Sequence, residues 1–240
     1  MLYTLTLERV NRLSSLLSKA RDLGFLGPEW VSKQIGHSFG FCKEITQLLA
    51  DTKTPITPGR GVHTPVGVHW VAEDGTQISL GDLGSGGGVP GLVIALRYQT
   101  LSVSLIESNQ RRAHFLEESI DLLELENCSV LCTRAEEIGS DPLYRGEFDF
   151  ITARSFGRPG VLSECAAPLL KLGGYSIVSE PPGSNWAERW PDSGIKQFGM
   201  AYIERPKSLS RFNFAVLKQV SECPSRFPRR VGVPAKRPIF

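Results

Sequence analysis

The hydrophobic positions of this chain fall into two regimes. Over residues 4–24, Leu5, Val10, Leu13, Leu16, Leu17 and Leu23 recur at helical spacing, and Gly24 ends the run. Gly27-Pro28 marks a turn. A second helix is expected over 29–50, with Trp30, Ile35, Phe39, Phe41, Ile45 and Leu48 mostly on one side. Residues 51–66 are rich in Pro, Gly and Thr and read as a loop or linker. Then the pattern turns strand-like: Val66–Val71, the turn Ala72-Glu73-Asp74-Gly75, and a strand over 76–83.

From there strands and helices alternate. The helical run Leu92–Arg97 is followed by a strand over 101–106 and an amphipathic helix over 110–125, with Phe115, Leu116, Ile120, Leu122 and Leu123 apolar. Next come a strand over 128–132, a short helix Arg134–Ile138 and a strand Phe148–Thr152. A helix over Pro159–Leu170, the turn Gly173-Gly174 and a strand Tyr175–Val178 complete the alternation. This order predicts an α/β fold with a mostly parallel sheet wrapped by helices. Two further strands, near 195–203 and 212–219, have no clear helix between them and are expected as an antiparallel end.

Composition narrows the class. With 240 residues and 41% hydrophobic content, the chain can bury one sizeable core with a small appendage. No apolar run approaches membrane-spanning length, and Met1–Leu5 lacks the features of a secretory leader. Cys42, Cys128, Cys132, Cys165 and Cys223 are odd in number and form no C-x-x-C pair. Reduced thiols in the cytoplasm are expected, with neither a disulfide frame nor a metal site. The net charge of +2 is uneven: residues 205–240 hold nine Lys/Arg against Glu222 alone. Such asymmetry fits a polyanionic partner or simply a solvated tail.

Chemistry concentrates at residues 80–91, Leu-Gly-Asp-Leu-Gly-Ser-Gly-Gly-Gly-Val-Pro-Gly, between a strand and a helix. Glycines there let backbone approach a ligand closely, and a helix start offers N–H groups to an anion. Gly86, Gly88 and Gly91 fit the G-x-G-x-x-G spacing of dinucleotide sites. However, Asp82 stands in front of the glycines, giving D-x-G-x-G-x-G, which resembles the first motif of class I methyltransferases. An acid suits the cationic amino and sulfonium groups of S-adenosylmethionine and repels a pyrophosphate. Glu107, at the end of the next strand, can accept hydrogen bonds from ribose hydroxyls of either cofactor.

The run Gly81–Gly91 with its Val-Pro-Gly ending resembles the GidB/RsmG family, bacterial methyltransferases that modify a guanine of 16S ribosomal RNA at N7. Leu105-Ile106-Glu107-Ser108, Arg111-Arg112, Phe115-Leu116, Arg134-Ala135-Glu136-Glu137, Phe148–Arg154 and Pro168–Gly174 agree in order. Pro228–Pro238 is similar to the family's basic ending. The resemblance implies a class I methyltransferase Rossmann-like fold with a seven-stranded sheet and an N-terminal helical cap. It implies three parts: cap and linker over 1–65, the cofactor-binding core over 66–222, and a basic tail over 223–240. It implies S-adenosylmethionine as cofactor, touched by Gly84 and Val89, with Ala135 and Glu136 at the adenine end and Arg154 ending the fourth core strand; the loop pattern itself adds Asp82, Gly86, Gly88 and Glu107 as cofactor residues. It also implies 16S rRNA or the small ribosomal subunit as partner.

Two departures stand out. The family's Asn-Leu-Thr and His-x-x-Asp-Ser segments are missing from the amino-terminal region, and Ser179-Glu180-Pro181-Pro182 stands where the family has a lysine followed by glycine. Glu180 would face RNA with the wrong sign of charge. Guanine N7 carries a lone pair and no proton, so its methylation needs alignment rather than a base. An exocyclic amine or hydroxyl acceptor would call for one, and Glu180 is then the candidate. His114 and the strand cysteines Cys128 and Cys132 read as surface or packing residues. RNA contact would fall to Arg158, Arg205, Lys207, Arg211, Arg229, Arg230, Lys236 and Arg237, with Phe156 and Trp186 as possible stacking rings. Two other readings fit the same residues: a methyltransferase of a small molecule or another RNA, and a non-catalytic module that binds cofactor or RNA. No feature of the pattern specifies an oligomer.

Overall fold

The computed structural model describes residues 7–51, 77–204 and 212–240. The expected strand over 66–71, the loop before it, and Arg205, Lys207 and Arg211 lie outside the described residues. Seven strands form one sheet in the order β3-β2-β1-β4-β5-β7-β6. The chain divides into two compact units, up to Cys132 and from Thr133 onward. The expected boundary at 65/66 lies outside the described residues.

The first unit holds α1 (Leu7–Asp22), α2 (Val31–Asp51), β1 (Ser79–Leu83), α3 (Gly91–Arg97), β2 (Ser102–Ile106), α4 (Gln110–Leu123) and β3 (Cys128–Leu131). β1 pairs parallel with β2, and β2 with β3. Four of five β1 residues are buried, as expected of a parallel strand covered on both faces. Asn109 caps α4 by accepting the Arg112 N–H at 3.1 Å. α1 packs on α4, and α2 on α3. The Tyr98 hydroxyl at the end of α3 donates to the Cys42 carbonyl at 2.8 Å and lies 2.7 Å from Thr46 Oγ1. Burial, ahead of the nearby Cys42, pushes this phenol up to about 12. It therefore stays protonated and tethers α2 to the core.

The second unit holds α5 (Ala135–Ile138), β4 (Phe148–Ala153), α6 (Pro159–Ala166), β5 (Leu170–Glu180), α7 (Trp186–Arg189), α8 (Asp192–Ile195), β6 (Met200–Tyr202), β7 (Asn213–Gln219) and α9 (Val233–Lys236). β4 and β5 are parallel, and β7 lies antiparallel between β5 and β6. Ile151, Leu162, Trp190, Phe198 and Val216 centre its core.

Three local expectations are corrected here. The helix read over Pro159–Leu170 ends at Ala166, and a 3-10 turn over Ala167–Leu169 leads directly into β5. Gly173-Gly174 is not a turn before the strand but a bulge inside it: Phe148 pairs with Leu170, whereas Phe150 pairs with Tyr175. Gly173 takes φ +87°, and a Cβ on Gly174 would crowd three carbonyl oxygens at 3.0–3.1 Å. The strand read near 195–203 is helical over its first four residues, because Ile195 closes α8 and a 3-10 turn runs to Phe198. Only Met200–Tyr202 pair with β7, after Gly199 reverses the chain at φ +76°.

The tail is corrected as well, from a possible loose extension to an ordered part of the second unit. Phe227 is buried, and α9 packs on α6. Fully buried Glu164 accepts the Arg229 backbone N–H at 2.8 Å, Nε at 2.8 Å and Nη2 at 2.6 Å. Arg229 Nη2 also donates to the Arg237 carbonyl at 2.8 Å. Removing one partner of such a pair strands a buried charge. Arg229→Ala is expected to cost about 3 kcal/mol of stability, read as a lowered urea midpoint; an unchanged midpoint would refute this role.

Candidate active site

The glycine loop leaves β1 at Leu83 and is held by its own unit from three sides. The Gly84 and Ser85 N–H groups donate to the Ile106 carbonyl at 2.8 and 3.2 Å. Gly84, Gly86 and Gly88 take φ +69°, +55° and +93°, conformations that only glycine adopts without strain. The Gly88 N–H donates to the Ser85 carbonyl at 2.7 Å, and the Ser85 hydroxyl to the Asp82 carbonyl at 2.8 Å. Val89, buried, precedes α3.

Asp82 lies at the base of the loop. Its side chain is buried in a residue only 1% exposed, and Oδ2 accepts the Gly91 N–H at 3.2 Å. A Cβ on Gly91 would meet Leu105 and, at 2.7 Å, Asp82 Oδ2. The first amide of α3 is thus occupied from within, and it is not available to an anion as the sequence reading allowed. A pyrophosphate would meet a carboxylate there instead of a donor. Glu107, 4% exposed, bridges two segments: Oε2 accepts the Gly86 N–H at 3.0 Å and Oε1 the Asn109 N–H at 2.8 Å. Arg112 Nε stands 3.5 Å from the same Oε1.

The helical cap braces this loop. A Cβ on Gly87 would lie 2.5 Å from Leu26 Cγ and 3.0 Å from Ala20 Cβ, and one on Gly86 would lie 3.3 Å from the Phe25 carbonyl oxygen. The turn between α1 and α2 therefore sits directly on the glycines.

In the second unit, Arg154 follows the last residue of β4 and is half-buried, and Ser155 takes φ +55°. Ala135 is buried at the start of α5. Glu136 Oε1 accepts the Gly232 N–H of the tail at 2.9 Å. Of the cations assigned to RNA, Arg158, Arg230, Lys236 and Arg237 are exposed. Arg229 is the exception, since its guanidinium serves Glu164.

Glu180 ends β5 and is buried. The bare negative charge expected of it is corrected by two residues that sequence reasoning missed. Arg189 Nε donates to Oε2 at 2.6 Å, and Trp190 Nε1 donates to Oε1 at 3.1 Å. Pro181-Pro182 stop the strand, and Gly183 at φ +71° turns the chain back. Asn185 then caps α7 by accepting the Ala187 N–H at 3.2 Å, which aims Arg189 and Trp190 at Glu180. The signal was present as Asn185 followed three residues later by Glu188, a helix-start pattern in a stretch left unassigned. Trp186, 43% exposed, stacks on Tyr202 at 4.5 Å between centroids and 12° between planes. Phe156 lines a cavity with Glu180.

A mostly parallel seven-stranded sheet with an antiparallel end, and a glycine loop following an acid at the end of β1, define a class I methyltransferase fold. A family model described as rRNA small subunit methyltransferase G (GidB) matches residues 66–180. Similar relatives carry the name ribosomal RNA small subunit methyltransferase G. That of Thermotoga petrophila is 36% identical over 66% of this chain and 71% of its own length. That of Carboxydothermus hydrogenoformans is 33% identical over 70% of this chain and 74% of its own. The chain belongs to this methyltransferase family. Among solved structures, a SAM-dependent methyltransferase from Aquifex aeolicus overlaps 59% of this chain and 81% of its own at TM-score 0.45 and 17% identity.

Side-chain chemistry in the described residues is sparing. His114 is exposed on α4, 3.6 and 3.4 Å from Glu117 and Glu118. No group of His, Cys, Asp or Glu among the described residues could hold a metal ion, and no described helix is long and apolar enough to cross a membrane. Burial pushes the thiols of Cys42 and Cys128 up to about 12 and that of Cys223 up to about 11. Cys165 is raised too, by burial and then by Glu136 and Glu164. A thiol attacks as thiolate, so these four are poor nucleophiles at neutral pH. Iodoacetamide at pH 8 is expected to label exposed Cys132 first and leave the other four largely unmodified. Peptide mass mapping checks this, and early loss of Cys128 or Cys165 would refute it.

Proposed function

We propose that this chain methylates N7 of a guanine in 16S rRNA of the small ribosomal subunit, with S-adenosylmethionine as donor and the cytoplasm as its place of action. The observation that carries the reading is the glycine loop of a methyltransferase family member, closed to anions by Asp82 on the Gly91 amide. The donor set fits this cofactor. Carboxylates stand at the loop, and the Arg112 guanidinium is turned to Glu107. Bound there, S-adenosylmethionine supplies an electrophilic methyl group on a sulfonium.

The chain's own residues hold and align. Glu107 fixes Gly86 with one oxygen and the start of α4 with the other, and keeps further lone pairs for hydroxyl donors of a ribose. Gly84, Gly88 and Val89 give the loop its close backbone approach. Ala135, Glu136 and Arg154 are the further cofactor residues that the family resemblance implies. Alignment supplies most of the rate in such a displacement. No base is needed for guanine N7, which agrees with how the buried acids are used. Glu107, Glu164 and Glu180 are each hydrogen-bonded to amides, guanidinium or indole groups. The exposed cations Arg158, Arg230, Lys236 and Arg237 are the phosphate contacts of this reading.

Small subunits from a strain lacking the modification, incubated with the protein and methyl-labelled cofactor, are expected to gain one 7-methylguanosine in 16S rRNA. Cofactor binding without transfer to rRNA would refute the substrate. Glu107→Ala is expected to weaken S-adenosylhomocysteine binding by about tenfold or more, measured by calorimetry, because charge-assisted hydrogen bonds are lost on both sides of the carboxylate.

A further inference from the structure

Beyond the carboxyl ends of β4 and β5 lies a cavity of about 320 Å³. Open α/β sheets place ligands outside the carboxyl ends of their strands. Phe156, Leu162 and Pro181 give it apolar wall, and its polar groups are Ser155, Ser179 and Glu180 with Arg189 and Trp190. Its size is at the lower end of small-ligand pockets, and its lining is largely polar, as suits a nucleobase edge.

We infer that this cavity is the acceptor-base subsite, and that Glu180 recognises guanine by accepting hydrogen bonds from its N1–H and N2–H groups. This rests on the guanine reading above. A carboxylate offers about four acceptor positions. Arg189 Nε takes one on Oε2 and Trp190 Nε1 one on Oε1, so each oxygen keeps a lone pair. Two adjacent acceptors match the paired donors on one edge of guanine. Adenine presents an unprotonated ring nitrogen at that place and would be repelled, as would cytosine. Uracil offers a single N–H. Phe156 supplies an aromatic face for a base taken out of its stack.

The same contact serves the reaction. As N7 gains a methyl group, the purine becomes cationic and its N1–H a stronger donor. A carboxylate on that edge therefore binds the transition state more tightly than the ground state. Arg189 and Trp190 are positioning residues that hold the carboxylate in the plane of the base. The charge at Glu180, which looked opposed to RNA, is thus directed at a base and not at phosphate.

The test compares small subunits carrying either guanosine or inosine at the accepting nucleotide, with the wild-type protein and Glu180→Gln. Inosine keeps N7 and N1–H and lacks only the N2 amino group. Wild type is expected to prefer guanosine by about tenfold to a hundredfold in kcat/KM, the worth of one charge-assisted hydrogen bond. In Glu180→Gln that preference is expected to fall below about threefold, with the loss on guanosine showing in kcat. Wild type methylating inosine as well as guanosine overturns the inference without relying on any variant. So does a Glu180→Gln protein that keeps the full preference. A wild-type protein that binds cofactor but methylates no guanine overturns the functional reading itself.

Discussion

A single buried hydrogen bond, from the Gly91 amide to Asp82 Oδ2, sets the geometry on which the first unit depends. It ties the end of β1 to the first residue of α3 and so fixes the span that the glycine loop must bridge. Gly91 has no room for a side chain because the carboxylate and Leu105 lie against it. Once both ends are pinned, Gly84, Gly86 and Gly88 must take positive φ to close the loop. The cap turn then settles on Gly86 and Gly87, and Glu107 holds the loop from the side of β2. A charge taken from water is costly unless its partners are good, and here it is committed to backbone geometry. Asp82 need not touch a ligand to keep the Gly91 amide from an anion.

That distinction shows what the sequence could and could not say. The alternation of strand and helix and the antiparallel end were legible, because period and turn residues report burial directly. So were Asp82, the glycines and Glu107 as a set, because their spacing reflects one local structure. The role of Asp82 was not legible: an acid beside a loop has the same letter whether it faces a ligand or an amide. The bulge at Gly173-Gly174 was read as a turn, since positive φ serves both, and only the pairing of Phe148 with Leu170 separates them. Arg189 and Trp190 were missed because their importance lies in a partner nine and ten residues away, Glu180, across a Pro-Pro-Gly reversal.

The tail teaches the same lesson about charge. Nine cations against one acid over residues 205–240 read as one electrostatic object. In the folded unit they divide by function. Arg229 neutralises Glu164 in the interior, Arg226 lies 4.8 Å over the Phe227 ring, and Arg230, Lys236 and Arg237 remain exposed. Glu136 accepts the Gly232 amide, so the tail is fastened at two carboxylates. A count of charge overstates the field available to a polyanion, because some of it is internal structure.

Buried carboxylates recur throughout, and their partners say what each is for. Asp82 and Glu107 are satisfied largely by main-chain amides, which cannot move without the fold, and both shape a loop. Glu164 is held by one arginine with three donors, and acts as a fastener. Glu180 shares spare acceptor capacity with Glu107 and differs in facing a cavity. It is buried yet borders a cavity, and its two donors leave acceptor capacity on both oxygens. Burying a charge with incomplete satisfaction is disfavoured in a purely structural role, since each unmet acceptor carries its desolvation cost. The combination is stable where a ligand completes the set, as the base contact proposed for Glu180 would.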